Sequence, residues 1–254
     1  MNAPADKKTI GILGGMGPEA THALFGHIIS HTLARRDQDH IRVLIDNRPG
    51  IPDRSAFIMG EGPDPVPAML ESARGLEQMG ADLLLIPCNT AHFFLDRIRP
   101  FLKVRILDMI RICADEIQNT WPGTGQVGLL ATLGTYATEI YQRVLQEQGL
   151  QVLVPDRNDR EKLMQAIYGP QGIKAGYIRR HVKEIRRVGE GLMEAGAGVV
   201  ISGCTELSLV FEKHAFSFPV VFPMRSLARE AVLLAGYNLR EDLEHKFRSY
   251  NRNG

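Results

Sequence analysis

Two cysteines in this sequence occupy matching places. Cys88 lies in Pro87-Cys88-Asn89-Thr90 and Cys204 in Gly203-Cys204-Thr205-Glu206, and each follows a short aliphatic run. A pair of thiols suits one kind of chemistry well. Moving a proton from one face of an amino-acid Cα to the other needs a base on one side and an acid on the opposite side. Reversing the direction swaps the roles, so similar residues in similar settings serve best. Cysteine can do both jobs near neutral pH, because its unperturbed pKa is about 8.5. The spacing predicts a helix from Ala91 to about Ile98 after Cys88, and another from Leu207 after Cys204. A helix N-terminus stabilises a thiolate through free N–H groups and the helix dipole. Each unit of pKa depression favours thiolate by about 1.4 kcal/mol. That alone does not overcome the weak acidity of a Cα–H. Preorganised donors and exclusion of water are also required. Asn89, Thr90, Thr205 and the backbone N–H groups of Gly14 to Gly17 are candidate donors.

The elements that would hold these groups alternate along the chain. Ile10 to Leu13 reads as a buried strand, followed by a glycine turn and a helix from Pro18 to about Ala34. Val43 to Ile45 is a second strand. A proline-rich stretch with Pro49, Pro52, Pro63, Pro65 and Pro67 reads as a functional loop or lid. A helix over Met69 to Met79 leads to a strand at Leu83 to Ile86, which ends at Cys88. Continuous apolar strands separated by helices indicate parallel sheets covered on both faces.

The second half repeats this plan. Val127 to Leu130 resembles Ile10 to Leu13, and Gly75–Thr90 aligns with Gly191–Glu206 with five identities in sixteen positions, cysteine among them. The offsets, 127 − 10 = 117 and 191 − 75 = 116, are nearly constant and point to an internal duplication. The expected fold is α/β, with two similar parallel-sheet lobes related by pseudo-two-fold symmetry. Ligands in such folds bind outside the carboxyl ends of the strands, which puts an active site in the cleft between the lobes, with the thiols facing each other.

Composition excludes several classes. Thirty basic and 29 acidic groups leave a net charge of +1, with no electrostatic footprint for nucleic acid. No apolar run reaches the roughly 18 residues that span a membrane. Met1 to Lys8 is polar, lacks a signal-peptide core and reads as a short disordered lead-in. Three cysteines make no disulfide framework and fit a reduced, cytoplasmic protein. Cys113, in an amphipathic helix, is expected to be structural. The Gly11 to Gly17 turn lacks the G-x-G-x-x-G spacing of a dinucleotide loop and suits a carboxylate better. Arg54 and Lys174 lie in turn-rich segments. Alone, each reads as a solvated cation; together they could clamp the two carboxylates of a dicarboxylic substrate. His92 could assist Cys88 or cap its helix. No His/Cys/Asp cluster has metal-ligand spacing.

These residues carry a resemblance. GILGGMGP at Gly11 to Pro18, RDQDH at Arg36 to His40, IPDRS at Ile51 to Ser55, PCNTAH at Pro87 to His92, GLLATLGT at Gly128 to Thr135, IKAG at Ile173 to Gly176 and GCTEL at Gly203 to Leu207 span nearly the whole chain. In this order they resemble the aspartate/glutamate racemase family, and its aspartate branch in particular. The resemblance implies racemisation without PLP, metal or nucleotide, with Cys88 and Cys204 catalytic. It implies that Arg54 and Lys174 bind carboxylates, that Asn89, Thr90, Thr132, Thr135 and Thr205 line the pocket, and that the Met16 loop lies nearby. The Gly169-Pro170-Gln171-Gly172 run before Lys174 departs from the usual connection. The resemblance also implies a homodimer, a first lobe over 1–109 plus 222–254, and a second over 110–221. By analogy with related racemases, Cys204 serves the L-enantiomer and Cys88 the D-enantiomer. Glutamate or a broader range of amino acids, maleate isomerisation, malonate decarboxylation and a non-catalytic dicarboxylate-binding protein stay open as alternatives.

Overall fold

The computed structural model describes residues 7–240, so most of the Met1 to Lys8 lead-in and the end of the proposed first lobe lie outside the described residues. The first half of the chain folds as β1 (Ile10–Gly14), α1 (Pro18–His31), β2 (Val43–Asn47), α2 (Arg54–Ile58), α3 (Val66–Gln78), β3 (Leu83–Leu85), α4 (Leu95–Ile98) and β4 (Arg105–Ile106). The second half continues with α5 (Met109–Thr120), β5 (Gln126–Ala131), α6 (Leu133–Thr138), α7 (Ile140–Glu147), β6 (Gln151–Leu153), α8 (Arg157–Tyr168), α9 (Val182–Glu194), β7 (Val200–Gly203), α10 (Thr205–Lys213), β8 (Val220–Val221) and α11 (Pro223–Leu234).

The strands form two parallel four-stranded sheets of the same order, β2-β1-β3-β4 and β6-β5-β7-β8. The α/β fold with two similar parallel sheets is thus as the sequence predicts. Each sheet is apolar on both faces because side chains alternate along a strand. Ile10, Ile12, Leu83 and Leu85 face α1 and α11, whereas Leu13, Leu84 and Ile86 face α3 and α4. In the second sheet Val127, Leu129 and Ile201 face α5 and α7, and Leu130 and Val200 face α8, α9 and α10. Helix α5 leaves the first sheet to pack under the second, and α11 returns to pack under the first.

Several local expectations change. Helix α1 stops at His31, where the Thr32 hydroxyl donates to the Ile28 carbonyl at 2.7 Å and the chain turns extended. Helix α3 begins at Val66, because Pro67 sits in its first turn, where a missing N–H costs nothing. The proline-rich stretch is not a free lid. It folds as α2, capped by the Asp53 carboxylate on the Ala56 N–H at 2.8 Å, and packs against α6 of the other half. A Cβ on Gly134 of α6 would lie 2.8 Å from the Ser55 Cα, so glycine permits this close approach.

The helix expected after Cys88 is also different. Residues Thr90–Phe94 form a 3₁₀ helix, and α-helix covers only Leu95–Ile98. The cause lies at His92. Its backbone N–H bonds Asn89 O at 3.0 Å, three residues back, while its ring Nδ1 takes the Cys88 carbonyl at 2.9 Å. The ring thus replaces the backbone donor that an α-helix would use there.

The turn after β1 depends on Gly15, which has a φ of 90°. A Cβ there would lie 2.3 Å from the Arg48 carbonyl carbon. Gly15→Ala should therefore lower unfolding stability by about 2–3 kcal/mol, counting left-handed strain and a backbone clash. Urea denaturation would measure it, and a loss under about 0.5 kcal/mol, the range of an ordinary surface substitution, would contradict the account.

Candidate active site

Cys88 follows β3 and Cys204 follows β7, the equivalent third strand of each sheet order. Both thiols are buried and unbridged. They line one small pocket with Met16, Arg54, Asn89 and Thr90 from the first half and Thr132, Tyr168, Lys174, Thr205 and Glu206 from the second. The pocket gathers nine of the ten predicted site residues. The tenth, Thr135, is fully buried just behind, where its hydroxyl lies 2.9 Å from Thr90 Oγ1 and 3.1 Å from Thr132 Oγ1. Tyr168 and Glu206 are the additions.

Hydroxyl contacts tie the two halves together around the thiols. Thr90 Oγ1 lies 3.1 Å from Thr132 Oγ1, and Ser55 donates to the same oxygen at 3.4 Å. The Tyr141 hydroxyl donates to Asn89 Oδ1 at 2.6 Å. Asn89 is thereby oriented from across the molecule. His92 is committed to the Cys88 carbonyl, so it acts as a capping group rather than as a partner of the thiol; burial holds its pKa down. Gly15 N–H donates to Thr21 Oγ1 at 2.9 Å, which removes one of the backbone donors expected to face a carboxylate.

Arg54 is buried at the start of α2. Its guanidinium donates to the carbonyls of Ile51, Pro52 and Met16 at 3.1, 2.8 and 3.2 Å, while Nε makes no hydrogen bond. Burial would lower its pKa, but the attraction of Cys88 and Asp53 more than offsets this and raises it. Asp53, next in sequence, accepts from the Tyr168 hydroxyl at 3.0 Å. The Tyr168 ring in turn lies 5.1 Å from Lys174 Nζ. Tyr168 thus contacts Lys174 with its ring and Asp53 with its hydroxyl.

Cys204 is the N-cap of α10, which begins at Thr205 rather than Leu207. The expected thiolate stabilisation at this helix start does not hold. Burial pushes the Cys204 thiol well up, and the neighbouring Glu206 carboxylate pushes it further. Cys204 Sγ donates to Glu206 Oε2 at 3.0 Å, and Thr205 Oγ1 donates to the same oxygen at 3.1 Å. Glu206 Oε1 pairs with Lys174 Nζ in a charged contact. Burial alone would raise the Glu206 pKa; Lys174 outweighs it and lowers it. Lys174 is likewise held protonated by Glu206 against the opposing effect of burial.

The pocket around the thiols is small. The pocket's free volume is about 10 Å³, room for about one water. Glu206 and Lys174 form part of its lining. A larger concavity of about 1090 Å³ lies elsewhere, lined by Arg111 and Asp115 of α5, Trp121 just past its end and Arg229 of α11. It has no thiol, whereas both Cys88 and Cys204 line the smaller pocket. Among the described residues no group of three His, Cys, Asp or Glu could hold a metal, and no helix is long and apolar enough to cross a membrane. Cys113 is fully buried on α5, and burial pushes its thiol well up, as suits a structural role.

Comparison with known proteins agrees with this fold. The family model described as Asp/Glu/hydantoin racemase matches residues 13–231. The chain belongs to that family. The broad specificity amino-acid racemase RacX of Bacillus subtilis is 28% identical over 234 residues, covering 88% of this chain and 96% of the relative. The solved structure of the Picrophilus torridus aspartate racemase superposes with a TM-score of 0.82 at 28% identity, over 94% of this chain and 99% of that one. An aspartate racemase homologue from Pyrococcus horikoshii OT3 gives 0.71 at 27% identity, over 90% and 99%.

Removing the buried acid tests the electrostatics. Because the Glu206 pKa is lowered on folding, its stabilising effect is present above the ordinary carboxylate pKa and is lost as pH falls through the folded value. Glu206→Gln should cost about 2–3 kcal/mol near neutral pH, since it leaves Lys174 without its counter-charge. The gap between wild type and variant should shrink progressively below about pH 4.5. Denaturation across that pH range measures it, and a gap that stays constant would contradict the assignment.

Proposed function

We propose that this family member racemises a small acidic amino acid, aspartate before others, by two-base proton transfer between Cα and the thiols of Cys88 and Cys204. The observation that carries the reading is the convergence of two thiols, from equivalent strand ends, on one pocket that also holds Arg54 and Lys174. One sulfur takes the Cα proton as thiolate, and the other gives a proton to the opposite face. Arg54 contributes the unpaired Nε of a buried guanidinium, and Lys174 a partly exposed ammonium, which suits two carboxylates of one substrate. Asn89, Thr90 and Thr132 supply donors for the charge that develops on the substrate in a nearly water-free pocket, while Thr205 holds Glu206. Every role in this scheme belongs to a side chain, so it needs no PLP, metal or nucleotide.

Aspartate is favoured because both structural relatives above carry that substrate in their descriptions and are matched over nearly their full length. A broader amino-acid range is the second reading, and the RacX relative favours it. In the proposed assignment Cys204 serves the L-enantiomer and Cys88 the D-enantiomer.

The test is a chiral assay on purified protein without added cofactor. L-aspartate should yield D-aspartate, and the reverse. A panel including L-glutamate, neutral amino acids and maleate separates the narrow, broad and isomerase readings. Cys88→Ser and Cys204→Ser should each lower turnover at least about 10²-fold, the usual scale for a lost acid/base group. Full activity in either variant would sink the two-thiol scheme. Ligand-induced thermal stabilisation with no chirality change on any substrate would favour a binding protein instead.

A further inference from the structure

Cys204 is poorly placed to ionise by itself. It is buried, and the nearest charge is the Glu206 carboxylate, to which its thiol already donates at 3.0 Å. Glu206 is itself buried and uses its other oxygen to pair with Lys174. The three groups form a chain, Sγ–H to Oε2 and Oε1 to Nζ, and it lies beside Gly17. Lys174 is about a quarter exposed, so it is the member of the chain that an incoming ligand can reach.

We propose that Glu206 is the positioning residue that takes the proton from Cys204, and that Lys174 controls when it can do so. This rests on the reading of the site as one for an acidic substrate. While paired with Lys174, the carboxylate is a weak base, and Cys204 stays a thiol. A substrate carboxylate that draws Lys174 toward itself leaves Glu206 buried without a counter-ion. A buried carboxylate without a counter-ion gains proton affinity. The S–H bond of Cys204 then breaks, its electron pair stays on sulfur, and an O–H bond forms on Oε2. The charge of the pair is conserved, and the thiolate now faces Cα. The same movement opens the pocket, whose present volume is too small for an amino acid. Cys204 therefore becomes reactive only when the substrate is seated, which protects it from adventitious oxidants and electrophiles.

Far-ultraviolet thiolate absorbance tests this without turnover. In a Cys88→Ser/Cys113→Ser background only Cys204 can give the signal, and succinate serves as a dicarboxylate with no proton to exchange in this way. Calorimetry reports whether succinate binds. The proposal expects binding with a rise in thiolate absorbance approaching one thiolate per chain, and at least a tenfold smaller rise after a further Glu206→Gln change. Should that variant fail to fold, Glu206→Asp replaces it; it keeps a charge for Lys174 but draws the carboxylate back from Sγ, and the rise should again be diminished. Binding with no rise, or an equal rise in the Glu206 variants, would overturn the role of Glu206 alone. Absence of succinate binding would overturn the dicarboxylate reading of the site and this inference with it.

Discussion

Charge held out of water beside two thiols is the constraint on which this site depends. Buried Glu206 is neutralised by the partly exposed Lys174, and Cys204 stays protonated because it is buried and, after that, because Glu206 is charged. Breaking that pair changes the protonation of the thiol, the volume of the pocket and the charge available to a ligand at once. On the opposite side Arg54 is fixed by three carbonyls and does not share this freedom. The two halves of the pocket are thus alike in fold and unlike in electrostatics. One cation is a fixture, and the other is exchangeable.

The fold brings these groups together through repetition. Two sheets of the same strand order deliver their third strands to the pocket, so a thiol just past each strand end meets its equivalent. Threonine hydroxyls and the Tyr141–Asn89 hydrogen bond fix the approach of the halves, and Gly134 allows α6 to lie directly against α2. Such an arrangement suits a reaction that must run equally well in both directions on mirror-related substrates.

Much of this was legible in the sequence. Continuous apolar runs such as Ile10 to Leu13 announce strands buried on both faces, and a cysteine repeated at the same place in both halves marks the pocket. Other features depend on contacts that no local pattern carries. Tyr168 acts through Asp53, 115 positions away in sequence. Glu206 stood in view as a polar neighbour of Cys204, and a carboxylate two residues from a thiol at a helix start was a signal that could have been weighed. Its pairing with Lys174, 32 residues earlier, keeps it charged, and burial together with that charge makes Cys204 a thiol rather than the expected helix-terminal thiolate. The 3₁₀ turn after Cys88 has a similar origin, since periodicity cannot foresee a histidine ring taking the carbonyl that a backbone N–H would use.

The central claim, that two opposed thiols move the proton, is tested most directly by the isotope content of both enantiomers at the earliest stage of reaction in D₂O. With two bases, the newly formed enantiomer should carry deuterium at Cα while unreacted starting enantiomer remains protiated, from either direction. New product that retains the original proton, or deuterium entering both enantiomers equally from the start, would mean that one group serves both faces and would contradict the account.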